Sequence, residues 1–321
     1  MEVKNIAILT SGGDCQGMNA TVNIVVRIAN QNGLKVYGVM EGFKGLCEDN
    51  FVLLNDEAVE NISSLGGTVL KTARFPQFKE DEVVMQGVEN LKKHFIDALI
   101  VIGGDGSFRG AKRLAEMGVS IIAIPGTIDN DLRYTDKCLG FDTAVNNATN
   151  YIENVKQTMS ALNRGVIFEV MGRYCGDIAL YCASATACNV IAVPEKPITE
   201  KELLEKIILK TQTCKNAPIV VVAEKMFDVQ KLTDILNKKT NIEFKCSQVG
   251  YVQRGGAPSV GDRTLAMQFG VRAVELLIKG IFNKALGIRG NTIFETSIDE
   301  ALHSDYNYNY ELLNLFYLLN K

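Results

Sequence analysis

Histidine is scarce in this sequence and cysteine is unpatterned. Among 321 residues there are two histidines, His94 and His303, and eight cysteines: Cys15, Cys47, Cys138, Cys175, Cys182, Cys188, Cys214 and Cys246. None of the cysteines pairs in a CxxC spacing, so zinc sites and disulfide frameworks are both poorly supported. A long basic run is also missing, and 34 basic against 37 acidic residues leave a formal charge of -3, which argues against nucleic acid as a partner. No apolar run is long enough to span a bilayer, and the N-terminus lacks the charged, apolar and small-residue order of a secretory signal. Nor is there a low-complexity segment, a short repeat or a linker rich in Gly, Pro or Ser. These absences lead to the expectation of a protein of the reducing cytoplasm without membrane contact. Its length exceeds the usual single-domain size, so two domains joined by short crossings are expected.

What the chain does contain is a series of short apolar, β-branched runs: IAIL at Ile6, VYGVM at Val36, ALIVIGG at Ala98, SIIAIPG at Ser120, VIFEVMG at Val166, VIAVPE at Val190 and IVVVAE at Ile219. Continuous apolar strands suit a parallel sheet covered on both faces. Helical patterns lie between them, over residues 18–30, 81–94, 107–117, 143–161, 199–213 and 262–279. The alternation predicts an α/β, doubly wound architecture with two sheets.

Several strands end in polar or glycine-rich segments: TSGGDCQGMN, IGGDGS, PGTIDND, MGRYCGD and AEKM. Ligands of open α/β sheets bind outside the carboxyl ends of the strands, so these five segments are candidates for one crevice. In TSGGD (Thr10 to Asp14) two glycines let backbone N–H groups approach an anion, although a plain strand-to-helix turn needs the same residues. IGGDGS (Ile102 to Ser107) places Asp105 between glycines, where the backbone can meet phosphates and the carboxylate can hold Mg²⁺. Its spacing misses the dinucleotide fingerprint by one residue.

PGTIDND sets Asp129 and Asp131 two positions apart, and three readings stay open: a solvated turn, a metal site, or a general base with an accompanying acid. A free aspartate titrates near 3.9, so both are ionised at neutral pH, and a cation or a substrate proton relieves their repulsion. Arg173 in MGRYCGD suits a phosphoryl group in transfer or an interdomain ion pair. QRGGAP (Gln253 to Pro258) and ARFPQF, with Arg74, repeat the theme of arginine beside a turn. Phosphoryl transfer is the economical hypothesis.

TSGGD, ARFPQF, IGGDGS, PGTIDND, EVMGRYCGD and QRGGAP, in this order over nearly the whole chain, resemble the bacterial ATP-dependent 6-phosphofructokinases (phosphofructokinase family A). The resemblance implies two Rossmann-like, doubly wound α/β domains with mostly parallel sheets and the active site in the cleft between them. Residues 1–140 plus 253–303 would form the larger, ATP-binding domain, and 141–252 plus 304–321 the smaller, sugar-phosphate-binding one. It implies a cytoplasmic homotetramer that transfers the γ-phosphoryl group of MgATP to the 1-hydroxyl of fructose 6-phosphate. Asp129 would be the general base, with Thr127 and Asp131 holding the substrate and the metal environment. Gly13 and Arg173 would stabilise the transferring group and Asp105 would bind Mg²⁺. Arg74, Phe75, Gly104, Gly106 and Ser107 would line the ATP site. Met171, Gly172, Glu224, Tyr251 and Arg254 would hold the sugar, while Arg164 and Lys245 would reach its 6-phosphate from a neighbouring subunit.

Glycine at 106 and 126, where pyrophosphate-dependent relatives usually carry Asp and Lys, favours ATP as donor. Departures from the family pattern are Lys245 for Arg, Tyr251 for His, and Gln16 for Pro. At the family's effector site for ADP and phosphoenolpyruvate, Arg27, Lys156 and Lys215 remain. Asn23, Asp56 and Thr213 replace basic residues, and Asn189 replaces a glutamate. Regulation by these ligands is therefore expected to be weak or altered. The alternatives are a non-catalytic phosphofructokinase-like regulatory subunit, a kinase for another sugar phosphate, and, more distantly, another kinase class with a GGDG segment such as NAD or diacylglycerol kinases.

Overall fold

A computed structural model describes residues 3–305 and 308–320. In chain order the elements are β1 (Asn5–Thr10), α1 (Met18–Gln31), β2 (Lys35–Val39), α2 (Gly42–Cys47), β3 (Phe51–Leu54), α3 (Asp81–Lys93), β4 (Ala98–Gly103), α4 (Asp105–Glu116), β5 (Ile121–Pro125), α5 (Phe141–Ala161) and β6 (Gly165–Val170). There follow α6 (Asp177–Ala185), β7 (Val190–Ala192), α7 (Glu200–Thr213), β8 (Ile219–Ala223), α8 (Val229–Lys239), β9 (Phe244–Gln248), α9 (Val260–Ile278), β10 (Lys284–Arg289), β11 (Thr292–Ser297), α10 (Ile298–His303) and α11 (Tyr310–Leu319). Among the described residues no helix is long and apolar enough to cross a membrane.

The chain divides into two compact units, the first made of Met1–Ile128, Leu132–Thr143 and Arg254–Asn307, the second of Asp129–Asp131, Ala144–Gln253 and Tyr308–Lys321. The first unit holds a sheet in the order β11-β10-β5-β4-β1-β2-β3, parallel through its five inner strands, with antiparallel partners at both edges. The apolar runs explain its centre: every residue of β4 and β5 is buried, as a strand covered on both faces requires. From β1 the chain winds outward through β2 and β3, then returns to start β4 on the other side of β1. The gap between β1 and β4 is thus the point where winding reverses, the place where open α/β sheets present their ligand crevice.

The second unit holds four parallel strands in the order β7-β8-β6-β9. Its core joins Ile167, Val220, Val222 and Phe244 of the sheet to Leu203, Ile207, Leu232 and Leu236 of α7 and α8. Those helices begin on local chemistry. Thr199 and Glu202 form a capping box at α7, and Asp228 accepts from the Lys231 N–H at α8.

Helix α4 starts at Asp105, two residues before the start expected from apolar spacing. Gly104 takes an extended N-cap conformation and its carbonyl accepts from the Ser107 N–H at 2.9 Å, which winds Asp105 and Gly106 into the first turn. Asp105 there meets the positive end of the helix dipole. Strands β3, β9, β10 and β11 are additions to the apolar runs read from the sequence. β9 and β11 interleave polar, partly exposed side chains that break an apolar run, while β3 is a four-residue apolar edge strand, FVLL, whose Val52 and Leu53 are exposed.

Candidate active site

In the first unit the glycine turns after β1 and β4 meet at the switch point. A Cβ on Gly12, whose φ is +86°, would lie 3.4 Å from Ser107 Oγ. The Ser11 N–H donates to the Ile102 carbonyl at 2.9 Å, which ties the two strand ends together. The turn after β5 joins them, because a Cβ on Gly104 would lie 3.4 Å from Thr127 Cβ, and the Thr127 N–H donates to the Leu139 carbonyl at 3.1 Å. Thr72 Oγ1 donates to the Gly12 carbonyl at 2.7 Å and so brings the segment that carries exposed Arg74 and half-buried Phe75 to the same turn. Backbone of this kind, close-packed and glycine-lined beside a helix N-terminus, suits phosphate groups.

The two glycines read as markers of the donor differ in their surroundings. At Gly106 a Cβ meets nothing within 4 Å, whereas at Gly126 it would lie 2.9 Å from Ile102 Cγ2. Packing alone therefore demands glycine at 126, and the bearing on the donor rests with Gly106.

Asp105 fits the role of a magnesium ligand. Its carboxylate is one-third exposed and accepts from Arg109 Nε and Nη2 at 3.0 Å each, which leaves lone pairs on both oxygens. A hard cation that keeps its waters takes only one or two carboxylates beside substrate phosphates. No cluster of three or more ligating groups occurs among the described residues.

Arg254 belongs to the first unit. Its Nη2 donates to Asp14 Oδ1 at 2.5 Å and to the Asp14 carbonyl at 3.1 Å, and a Cβ on Gly13 would lie 2.6 Å from that same nitrogen. Gln16, fully buried, donates from Nε2 to the Gly255 carbonyl at 2.7 Å, so the residue standing in place of the family's usual proline latches the loop that carries Arg254.

The second unit gathers the other candidates at the carboxyl ends of β6 and β8. Asp129, Asn130 and Asp131 group with it although their flanks belong to the first unit. Arg173 Nη1 stands 3.6 Å from Asp131 Oδ2. The Arg173 N–H donates to Glu224 Oε1 at 2.6 Å, and the Glu224 N–H to the Val170 carbonyl at 2.8 Å, which binds the turn after β6 to the turn after β8. That turn is tight: Gly172 has φ +143°, and a Cβ on it would come within 2.3 Å of the Cys175 carbonyl oxygen. The Met171 N–H donates to Gln253 Oε1 at 3.1 Å, which draws the segment bearing exposed Tyr251 to the same end.

Arg164 and Lys245 lie elsewhere on this sheet. Arg164 immediately precedes β6 and Lys245 pairs in register with Val166, both at the amino end. They share one carboxylate: Arg164 Nε is 2.6 Å from Glu243 Oε2, and Lys245 Nζ is 2.8 Å from Glu243 Oε1. Lys245 foremost, then Arg164, holds the Glu243 carboxyl below its usual range. A six-residue strand separates this pair from Arg173 and Glu224 by about 20 Å.

Residues 5–277 match the family model described as Phosphofructokinase. The chain belongs to the phosphofructokinase family. It is 43% identical over 320 residues to the ATP-dependent 6-phosphofructokinase of Clostridium botulinum (strain Alaska E43 / Type E3), covering 99% of this chain and 100% of that protein. It is 46% identical over 300 residues to the ATP-dependent 6-phosphofructokinase of Clostridioides difficile (strain 630), covering 94% of each. The crystal structure of Pichia pastoris phosphofructokinase in the T-state superposes with a TM-score of 0.89 at 28% identity, covering all of this chain and 39% of that one. The two-sheet phosphofructokinase fold accounts for the glycine turns and for the Arg173 segment alike. Sequence reading missed Asp14, Gln253 and Glu243, whose roles come from partners far along the chain. Only Glu243 has a local hint, two residues before Lys245.

Of the residues expected at an effector site, Arg27 and Lys215 are exposed, while Lys156 donates to the Thr186 carbonyl at 2.5 Å and to Glu153 at 3.2 Å. The four replacements expected there each have an intramolecular bond. Asn23 donates to the Val59 carbonyl at 2.6 Å, Asp56 accepts from Asn30 at 3.0 Å, Thr213 donates to the Leu209 carbonyl at 3.0 Å, and Asn189 accepts from the Ile219 N–H at 2.8 Å.

Proposed function

We propose that this protein is an ATP-dependent 6-phosphofructokinase that transfers the γ-phosphoryl group of MgATP to the 1-hydroxyl of fructose 6-phosphate, giving fructose 1,6-bisphosphate and ADP in the cytoplasm. The observation that carries this reading is the grouping of the Asp129–Asp131 tripeptide with Arg173 and Glu224: a pair of carboxylates beside a guanidinium is what hydroxyl activation and phosphoryl transfer together require. The long matches to proteins named ATP-dependent 6-phosphofructokinase support it.

On this reading Asp129 accepts the proton of the 1-hydroxyl as that oxygen attacks the γ-phosphorus. The bond to the β–γ bridging oxygen breaks and ADP leaves. Thr127 and Asp131 orient the acceptor, and the Gly13 N–H and the Arg173 guanidinium stabilise charge on the transferring group. Arg74, Phe75, Gly104, Gly106 and Ser107 line the nucleotide. Asp105 would hold Mg²⁺, which when bound would supply charge neutralisation on the nucleotide phosphates. Met171, Gly172, Glu224, Tyr251 and Arg254 hold the sugar.

Arg164 and Lys245 stand at the wrong end of their own sheet for the same substrate, so their role at the 6-phosphate calls for a neighbouring subunit. The homotetramer that the family resemblance implies would supply that neighbour. Regulation by ADP and phosphoenolpyruvate is weak or altered, since Asn23, Asp56 and Thr213 lack the positive charge of the residues they replace, Asn189 lacks the negative charge of a glutamate, and all four are engaged within the chain. A regulatory subunit without turnover has no use for the intact Asp105, Asp129, Asp131 and Arg173.

The experiment is the initial rate of ADP release from MgATP with and without fructose 6-phosphate, for the wild type and for Asp129→Ser. A saturable sugar-dependent rate, lowered in the variant by about 10²- to 10⁴-fold with nucleotide binding kept, is expected. No release above the sugar-free control would refute the reading. Near-normal turnover in the variant would refute the base.

A further inference from the structure

Between the two candidate catalytic carboxylates lies Asn130, a residue that phosphoryl transfer itself leaves without a task. Its backbone is left-handed, with φ +54°, a region that asparagine enters more readily than other side-chain-bearing residues. Its side chain is turned inward rather than toward solvent: Asn130 is 7% exposed, and Nδ2 donates to Asp177 Oδ2 at 2.8 Å. Asp177 is itself only 5% exposed. It occupies the first turn of α6, where the helix dipole favours a carboxylate. A hydrogen bond onto a buried carboxylate is among the stronger kinds, and leaving either partner unmatched is costly.

Asp177 closes the same segment that carries Arg173. Met171 to Asp177 therefore grips the tripeptide at two points, Arg173 at Asp131 and Asp177 at Asn130. The segment is anchored in turn: Arg173 N–H on Glu224, Met171 N–H on Gln253, and the Gly176 N–H on Glu195 Oε1 at 2.8 Å. A left-handed residue reverses the chain locally, so its orientation decides where the residues on either side point. Fixing Asn130 fixes Asp129 and Asp131.

We propose that Asp177 is a positioning residue for the catalytic base: its carboxylate holds the Asn130 side chain and so keeps Asp129 oriented toward the hydroxyl it deprotonates. The proposal rests on Asp129 being that base. It assigns no contact between Asp177 and substrate.

Four variants of the full-length enzyme test it. Asp177→Asn keeps an acceptor oxygen for the Asn130 amide, Asp177→Leu removes it, Asn130→Gly keeps the left-handed backbone and loses the anchor, and the last two are also combined. Misplacing a reacting group by about 1 Å costs about 10²-fold. Asn130→Gly and Asp177→Leu are therefore each expected to lower kcat by about that factor while the KM for MgATP moves less than about twofold. The double variant should fall no further than either single one, as residues acting through one bond do. Asp177→Asn should retain kcat within about threefold, a rescue that a demand for charge alone would not permit.

Wild-type kcat in Asn130→Gly, or additive losses in the double variant, overturns the proposal. Should Asp177→Leu not fold, Asn130→Gly beside Asp177→Asn decides alone. Asp129→Ser run in parallel separates the two failures. Normal turnover there removes the base itself, whereas lost turnover there with normal Asn130→Gly removes only the positioning role.

Discussion

Arg173 Nη1 and Asp131 Oδ2 stand 3.6 Å apart, with half of the arginine side chain and about a fifth of the aspartate exposed. That separation exceeds a good hydrogen bond, so the contact is a loose ion pair. Meanwhile the arginine's main chain is held firmly, in a left-handed conformation (φ +59°) by the bond to Glu224. A rigid backbone under a loosely engaged guanidinium is the arrangement expected of a group that must turn to meet a phosphoryl oxygen.

Arg173→Lys isolates the planar fork. Both residues meet the left-handed backbone at similar cost and carry the same charge, so folding should be unchanged. The lysine loses bidentate geometry, and kcat should fall by about 10²-fold or more, with the KM for MgATP nearly constant. Steady-state kinetics with a thermal melt checks this; wild-type kcat would remove Arg173 from the chemistry.

The two glycines beside the phosphate turns should part company in a melt. Gly126→Ala forces a Cβ to within 2.9 Å of Ile102 Cγ2 and should destabilise by about 1–3 kcal/mol, the usual cost of overpacking. Gly106→Ala enters open space and should stay within about 0.5 kcal/mol of wild type. Gly106→Asp should fold equally well yet raise the KM for MgATP by about tenfold, since it sets a carboxylate beside bound phosphates. Equal losses of stability in both alanine variants would contradict the packing described.

The sheets were legible where burial is two-sided. β1, β4, β5, β6 and β8 read as apolar runs because neither face meets water, and their order follows from the helices between them. β9 did not, because Lys245, Ser247 and Gln248 leave an edge strand half polar; β3 is a different case, a four-residue apolar edge strand with Val52 and Leu53 exposed, which no two-sided burial marks. At the site, TSGGD, IGGDGS and MGRYCGD announce turns, since glycine and charge at a strand end have few other uses. The partners of those turns were illegible. Arg254 on Asp14, Gln16 on Gly255 and Asn130 on Asp177 join residues 240, 239 and 47 positions apart, and no local pattern encodes such a distance.

Effector response should be small. Adding ADP or phosphoenolpyruvate at millimolar concentration should shift the half-saturating fructose 6-phosphate concentration by less than about twofold, a coupling below the usual allosteric range. Sugar saturation curves at fixed MgATP measure this directly. A large sigmoidal shift would mean that Arg27, Lys156 and Lys215 suffice without the residues replaced by Asn23, Asp56 and Thr213.

Burial pushes the Cys182 thiol up to about 12 and the Cys188 thiol up to about 11. A thiol is neutral below its pKa, so at pH 8 roughly one in ten thousand Cys182 side chains and one in a thousand Cys188 side chains are thiolate. Iodoacetamide at that pH should leave both untouched in the native protein and alkylate both in urea. Peptide mapping reads the outcome, and rapid native labelling of either would contradict their burial.

The most direct test of the account is phosphorus NMR of the purified protein with MgATP and fructose 6-phosphate. The account predicts loss of the γ-phosphorus signal with equal gain of ADP and of a new phosphate monoester on the sugar's C1 oxygen. ADP formed with inorganic phosphate alone, or no change in ATP while added pyrophosphate is consumed, would contradict it.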